Sequence, residues 1–215
     1  MNYETIDVIY KSRLTLLKIL ADRGYDTTRF EKFGPIEISA AVAADMVGAA
    51  LNMTLERPGS EAQPITKCRV IYNLIRVKTR LNTFISEIVG EEVEGFTPAN
   101  TETIVMLLEP IGDAFHAASL SQLAKKIRIS FFNAQTLVNN PFEHVLVPKH
   151  EALPPSEHKA FLAANKIRSK ENLPIIRFHE DMMARLMGLV PGDIVKITRP
   201  SPSAGEYETY RVCSF

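Results

Sequence analysis

An excess of charge of one sign, clustered cysteines and long apolar runs are all missing from this sequence, and each absence removes a class of function. The 25 basic residues are balanced by 25 acidic ones, so the formal net charge is zero. Such a chain does not hold nucleic acid by bulk attraction, and any contact of that kind must be local. Divided at Asn140, both parts stay close to neutral. Cys68 and Cys213 lie far apart in no metal-ligand spacing, which points to reduced thiols in an intracellular setting. The amino end carries Glu4 and Asp7 and lacks a basic segment followed by an apolar one, so no secretory signal is expected. No apolar run approaches the roughly 20 residues of a membrane span, and the alanine-rich stretch at 40–51 is interrupted by Asp45. The hydrophobic share of 46% and the charged share of 23% are those of a globular chain with a true core in one or two domains.

The most closely punctuated part is the last third. Val145 and Val147 alternate with His144 and Leu146 before Pro148, as in a short strand that a proline ends. Ser156 follows Pro154 and Pro155 as a helix cap, with Phe161, Ala164 and Ile167 at helical spacing. LPIIRF (173–178) reads as a second strand and 180–186 as a short helix, with Gly188 placed for a left-handed end. Val190-Pro191-Gly192-Asp193 has the residues of a type II turn and feeds a strand at 194–198. RPSPSAG then reads as a loop. In the closing EYETYRVCSF, Tyr210 and Val212 fall on one face and Tyr207, Cys213 and Phe215 on the other, so neither face is plainly solvated.

EHVLVPKHEAL, LPIIRF, the helix with Asp181 and Ala184-Arg185, Gly188-Leu189, PGDIVKITRPS, SAGEY and YRV stand in fixed order with short gaps. In this the last third resembles the C-terminal domain of the fifth, shared subunit of eukaryotic nuclear RNA polymerases, a domain that a small archaeal polymerase subunit resembles by itself. The chain departs from that family at Met182 and Met183, and at Pro202-Ser203, which puts local loop contacts in question. YKSRLTLLKILADRGYD is similar to the family's amino-terminal helix, most closely in Asp22-Arg23-Gly24-Tyr25. The resemblance implies two domains, at 1–141 and 142–215. The first is an α/β, mixed-sheet, nuclease-like jaw beside downstream DNA; the second is a small α+β assembly domain docking on the largest subunit. It also implies a chain without catalytic residues, in the nucleus if cellular and in the virion or viral factory if virus-encoded.

Before the last third, strands alternate with helices, as in a mixed α/β layer. The first helix aligns Ile6, Tyr10, Leu14, Leu17 and Leu20 before Arg23 and Gly24. Thr27 or Thr28 caps a short helix that Gly34-Pro35 stops, and a further helix covers 39–53. Strands are expected at 51–55 and 70–75 on either side of RPGSEAQP (57–64), with a helix at 78–89 packing through Leu81, Ile85 and Ile88. The acidic run 91–94 reads as a solvated linker. IVMLL (104–108) is wholly apolar, as a central buried strand should be, and 119–127 suggests another helix.

Catalytic and metal sites find little in the residues. A nuclease places Glu and Lys two apart on a strand so that both face one site. The one triplet in the order Glu-x-Lys, Glu157-His158-Lys159, falls on an expected helix, where a spacing of two turns the side chains about 200° apart. His144, His150 and His158 have spacings that match no common ligand pattern, so no metal or cofactor is expected. RPSPSAG offers Arg199, serines and a glycine, but its prolines remove backbone donors, which favours a protein contact over an anion nest. Tyr207 and Phe215 then need cover, with Arg199 and Arg211 around them. Together with the family's EH and PKH motifs, this sets the expected subunit interface at His144, Pro148, His150, Arg199, Pro200, Ser201, Gly205, Tyr207, Tyr210, Arg211 and Phe215. Lys125, Lys126 and Arg128 form a tight basic cluster for DNA phosphate. The runner-up is a stand-alone DNA-binding or DNA-cleaving protein.

Overall fold

The computed structural model describes residues 2–59, 65–89 and 96–215. Part of the 57–64 turn and the acidic run 91–94 therefore lie outside the described residues. The chain divides into two compact units, Met1–Asn139 and Asn140–Phe215.

In the first unit, α1 (Tyr3–Asp22) begins where Asn2 accepts the Thr5 amide at 3.0 Å and ends at Arg23, before Gly24 with φ +85°. Of the expected row, Leu17 and Leu20 are buried and Ile6 and Tyr10 partly so, but the buried side is turned from the rest of it. Leu14 is exposed, and Ile9, Arg13, Leu16 and Leu20 face inward. A hydropathy pattern counts Arg13 as surface, yet its Nη1 donates to Leu51 O at 2.8 Å and its guanidinium lies over the Phe33 and Tyr72 rings. The short helix after Thr27 is instead a set of turns, because Asp26 Oδ1 accepts the Thr28 amide and hydroxyl.

Gly34-Pro35 does not stop a helix but starts one. α2 (Pro35–Ala44) has Pro35 in its first turn, where a missing N–H costs nothing. The expected helix at 39–53 ends at Ala44, since Asp45 accepts the amides of Val47 and Ala49 at 2.9 and 2.8 Å and turns the chain into Gly48, φ +93°. A four-stranded sheet follows: β1 (Met53–Glu56), β2 (Lys67–Asn73), β3 (Thr101–Leu107) and β4 (Arg128–Asn133), in that order. β1 is antiparallel to β2, and β2, β3 and β4 run parallel. Parallel neighbours need crossovers, supplied by α3 (Leu81–Val89) and α4 (Asp113–Ala124), the latter earlier than the expected 119–127. Leu81, Phe84, Ile85, Ile88, Phe115 and Ala118 pack with Ile71, Val105, Leu107, Ile129 and Phe131 on one face. Tyr72, next to Ile71 and so on the other face, meets Arg13 of α1. β3 is buried at every position, as a central parallel strand should be.

In the second unit the expected strand at 145–147 is a turn. The His144 ring accepts the Leu146 amide at 3.2 Å and His144 O the Val147 amide at 2.8 Å, so pairing begins only after Pro148 with β5 (Lys149–Ala152). A 3₁₀ turn at Pro155–Glu157, with Ser156 inside it rather than capping, leads to α5 (His158–Ala164). Then come β6 (Ile175–Arg177), α6 (Met182–Met187), β7 (Ile194–Ser201) and β8 (Gly205–Ser214), with sheet order β5-β7-β8-β6. β7 is antiparallel to β5 and β8, and β6 is parallel to β8. Arg199, Pro200 and Ser201, expected in a loop, extend β7 so that only 202–204 turn.

Candidate subunit interface

The β7–β8 ladder sorts the expected interface residues by face, because directly opposed residues share one. Ile194, Lys196, Thr198 and Pro200 oppose Val212, Tyr210, Glu208 and Glu206. This face packs inward on α5: Ile194, Val212 and Leu173 form a core with Leu153, Phe161, Leu162, Ile167 and Tyr210 against it. Tyr210 stacks on Phe161 with ring centroids 4.3 Å apart, and its hydroxyl donates to Glu208 at 3.1 Å. It therefore belongs to the unit's own packing, and the ladder does not bring it together with Tyr207.

The other face carries Val195, Ile197, Arg199 and Ser201 opposite Arg211, Thr209, Tyr207 and Gly205, with His150 opposite Ile197 on β5. Near α6 this face is buried at Val195, Ile197, Ile176 and Cys213. Farther out the hairpin leaves its supports, and Tyr207 stands 60% exposed directly across from exposed Arg199. Arg211 is pinned by a 3.0 Å bond from Nη1 to Ile175 O. Phe215 is 66% exposed. His150 Nδ1 pairs with Pro148 O at 2.7 Å, and His144 holds the turn before it. Beside them Val145 and Leu146, expected as strand residues, stand 91% and 82% exposed. Apolar alternation hid them as interface candidates, since it is the same signal that a half-buried strand gives.

Local chemistry holds this unit in shape. Asp181 Oδ1 accepts the Met183 and Ala184 amides at 2.8 and 3.0 Å, Gly188 ends α6 with φ +67°, and Asp193 N closes on Val190 O at 3.0 Å through Gly192, φ +96°. Lys170 Nζ bridges His158 Nδ1 and Gly192 O, each at 2.7 Å, while the His158 Nε2 lies 3.0 Å from Leu153 O. His158 is thus a buried strut with both ring nitrogens engaged. Burial pushes the Cys213 thiol up to about 12. Among the described residues no group of three or more His, Cys, Asp and Glu side chains is placed to hold a metal ion.

In the first unit the Asp22-Arg23-Gly24-Tyr25 segment has a partner that the sequence did not reveal. Arg23 Nη2 donates to both Glu102 oxygens at 2.6 and 2.8 Å, and the Tyr25 hydroxyl donates to Oε1 at 2.9 Å. Burial works to raise the Glu102 pKa, but Arg23 and Tyr25 outweigh it and hold the carboxyl below its usual range. Arg57 stacks on the Tyr25 ring at 4.7 Å and donates to Arg23 O at 3.1 Å. Glu102 lies on β3, 79 residues from Arg23, so no local pattern could pair them.

Lys125 and Lys126 are exposed where α4 turns into β4, with Lys126 at φ +63°, and Arg128 is partly buried on β4. A second basic set has no counterpart among the expected sites: Arg76, Lys78 and Arg80, all exposed, after β2. Glu109 Oε1 accepts the Val77 and Lys78 amides at 2.7 and 3.2 Å there, beside a cleft of about 480 Å³ lined by residues including Ile75, Arg76, Lys78, Thr79 and Pro110. Since β2 and β4 run parallel to β3, the two basic sets lie at opposite ends of the sheet.

Residues 139–213 match the family described as RNA polymerase Rpb5, C-terminal domain. A Dictyostelium discoideum protein named DNA-directed RNA polymerases I, II, and III subunit rpabc1 is 31% identical over 212 residues, 98% of this chain and 99% of that protein. The Caenorhabditis briggsae RPABC1 protein is 25% identical over 204 residues, 95% of this chain and 94% of its own length. Methanosarcina barkeri DNA-directed RNA polymerase subunit Rpo5 is 49% identical over 70 residues, 33% of this chain and 87% of that protein. With likeness running the length of both chains at 31% identity, and the second unit matched by the family's C-terminal domain, this chain belongs to the Rpb5 family of DNA-directed RNA polymerase subunits.

Proposed function

We propose that the chain is a non-catalytic subunit of a multisubunit DNA-directed RNA polymerase. Its assembly domain, 142–215, docks on the largest subunit, and its jaw domain, 1–141, on a nuclease-like scaffold, borders downstream DNA. In a cell its place of action is the nucleus; for a virus-encoded chain it is the virion or viral factory. The observation that carries the docking is the pair of exposed aromatics, Tyr207 and Phe215, on a unit whose remaining apolar strand positions are largely buried. Aromatic anchors flanked by arginine are the residues that dominate interface energies, often by about 2 kcal/mol or more each. The test is capture of the largest subunit by the full chain with and without Tyr207→Ala and Phe215→Ala. Loss of capture by a folded double variant is expected, and undiminished capture rejects this surface.

For the DNA contact we favour Arg76, Lys78 and Arg80 over Lys125, Lys126 and Arg128. All three cations of the first set are exposed and two of them line an open cleft, whereas Arg128 of the second set is partly buried, and sets at opposite ends of one sheet do not face the same stretch of backbone.

A further inference from the structure

β8 is longer than the sheet it belongs to. β6 pairs with it only at 212–214, while β7 pairs with it from Gly205 to Val212. Two bonds fix which backbone groups face which way. Cys213 N donates to Asp193 O at 2.7 Å, on the β7 side, and Val212 N donates to Pro174 O at 2.9 Å, on the β6 side. Strand alternation then directs the amides and carbonyls of Glu206, Glu208 and Tyr210 to the outer edge, where no described backbone group meets them. The hairpin's other outer edge is different. Leu153 N donates to Ile194 O, so even-numbered β7 residues face outward beyond β5, and the position past Thr198 is Pro200, which has no N–H to offer. One edge is closed by proline and the other is open.

We infer that the outer edge of β8 at 206–210 receives an extended segment of another polymerase polypeptide as an added strand, in line with β6. This inference rests on the docking proposed above and names the mode of contact. Only an extended backbone matches a row of donors and acceptors repeating every second residue. A second copy of this chain is a poor occupant: the antiparallel register that uses all three amides sets Glu208 against its own copy, and a shift of two residues sets Glu206 against Glu208. Lys196 already pairs with Glu208, while Glu206 has no ion pair among the described residues. The incoming segment therefore alternates, with Lys or Arg on the Glu206 and Glu208 face and apolar side chains beside Tyr207 on the other.

The experiment follows single-amide hydrogen exchange in the full chain, free and bound to the largest subunit of its polymerase, together with capture by Glu208→Pro. That substitution removes one outward amide and leaves the ladder to β7 intact. In the free chain the amides of 206, 208 and 210 should exchange fast while those of 207, 209 and 211 are protected. In the complex the three fast amides should slow by about tenfold or more, and Glu208→Pro should weaken capture about tenfold. A complex in which the three stay fast overturns the inference and leaves the docking standing, as does wild-type capture by a folded Glu208→Pro chain. Protection that appears in the isolated chain with rising concentration and a dimeric mass also overturns it. Absence of any complex with the wild-type chain rejects the docking and this inference together. If Glu208→Pro melts well below the wild type, the exchange measurement decides alone.

Discussion

Replacing Glu102 by Gln should be among the most damaging single changes in the first unit, although it alters one atom. The carboxylate is buried and accepts two bonds from Arg23 and one from Tyr25. Gln keeps the shape but not the charge, and its amide nitrogen cannot accept. Arg23 is then left with a buried, uncompensated guanidinium, and breaking one side of such a pair costs about 3–5 kcal/mol. The lower end applies because the Gln carbonyl still accepts one bond. At about 3 °C per kcal/mol for a unit of this size, the melting temperature falls by about 10 °C. The carboxyl's pKa is depressed by folding, so its contribution is complete above the ordinary carboxylate range and fades as pH falls through the lower folded value. Wild-type stability should therefore drop on acidification through that window, and the Gln variant should lose this part of the slope. Urea unfolding read from β2 and β3 amides at neutral and acid pH measures both effects. A loss under about 1 kcal/mol with an unchanged acid slope would refute the reasoning, because the pair would then be no stronger than an exposed one.

Gly48→Ala should destabilise the first unit by about 1 kcal/mol or more, since φ is +93° and an added Cβ would meet the Leu74 side chain at 2.9 Å; thermal melts check it. Asp181→Ala should cost the second unit about 1 kcal/mol through removal of the α6 cap, measured by urea unfolding of that unit. Cys68 and Cys213 are both buried with thiol pKa values raised by burial, so neither should react with a thiol reagent at pH 8 until the chain unfolds. Within an assembled polymerase, replacing Arg76, Lys78 and Arg80 by Ala should flatten the salt dependence of DNA binding, by up to about 0.9 in slope for each phosphate no longer neutralised. Equal slopes would remove this set from the DNA surface.

The second unit was the more legible because its signals are local. Asp181, Gly188 and the Val190–Asp193 turn act within four residues of themselves, and each behaves as turn and cap chemistry requires. Sequence and structure part where a polar side chain redirects the backbone or is satisfied at long range. Asp45 ends α2 by binding amides that a longer helix would have used, and His144 does the same to the expected strand at 145–147. Arg13 shifts the buried face of α1 because its partner, Leu51 O, is 38 residues away. Glu102 was invisible for the same reason. Of the expected interface residues, Arg199 and Tyr207 are brought together on one face by pairing that alternation predicts, whereas Tyr210 turns inward onto Phe161. Arg76, Lys78 and Arg80 do not stand out as a cluster because Val77 and Thr79 separate them in sequence, while the turn before α3 leaves all three exposed.

The central claim is that this chain works as part of a polymerase, and the most direct measurement is purification of the tagged full-length chain from its native source under gentle salt. Recovery of the polymerase's two largest subunits in equal amount with this chain, with DNA-dependent RNA synthesis in the same fraction, is the predicted result. Recovery of the chain alone, while polymerase from the same extract is complete and active without it, would contradict the account.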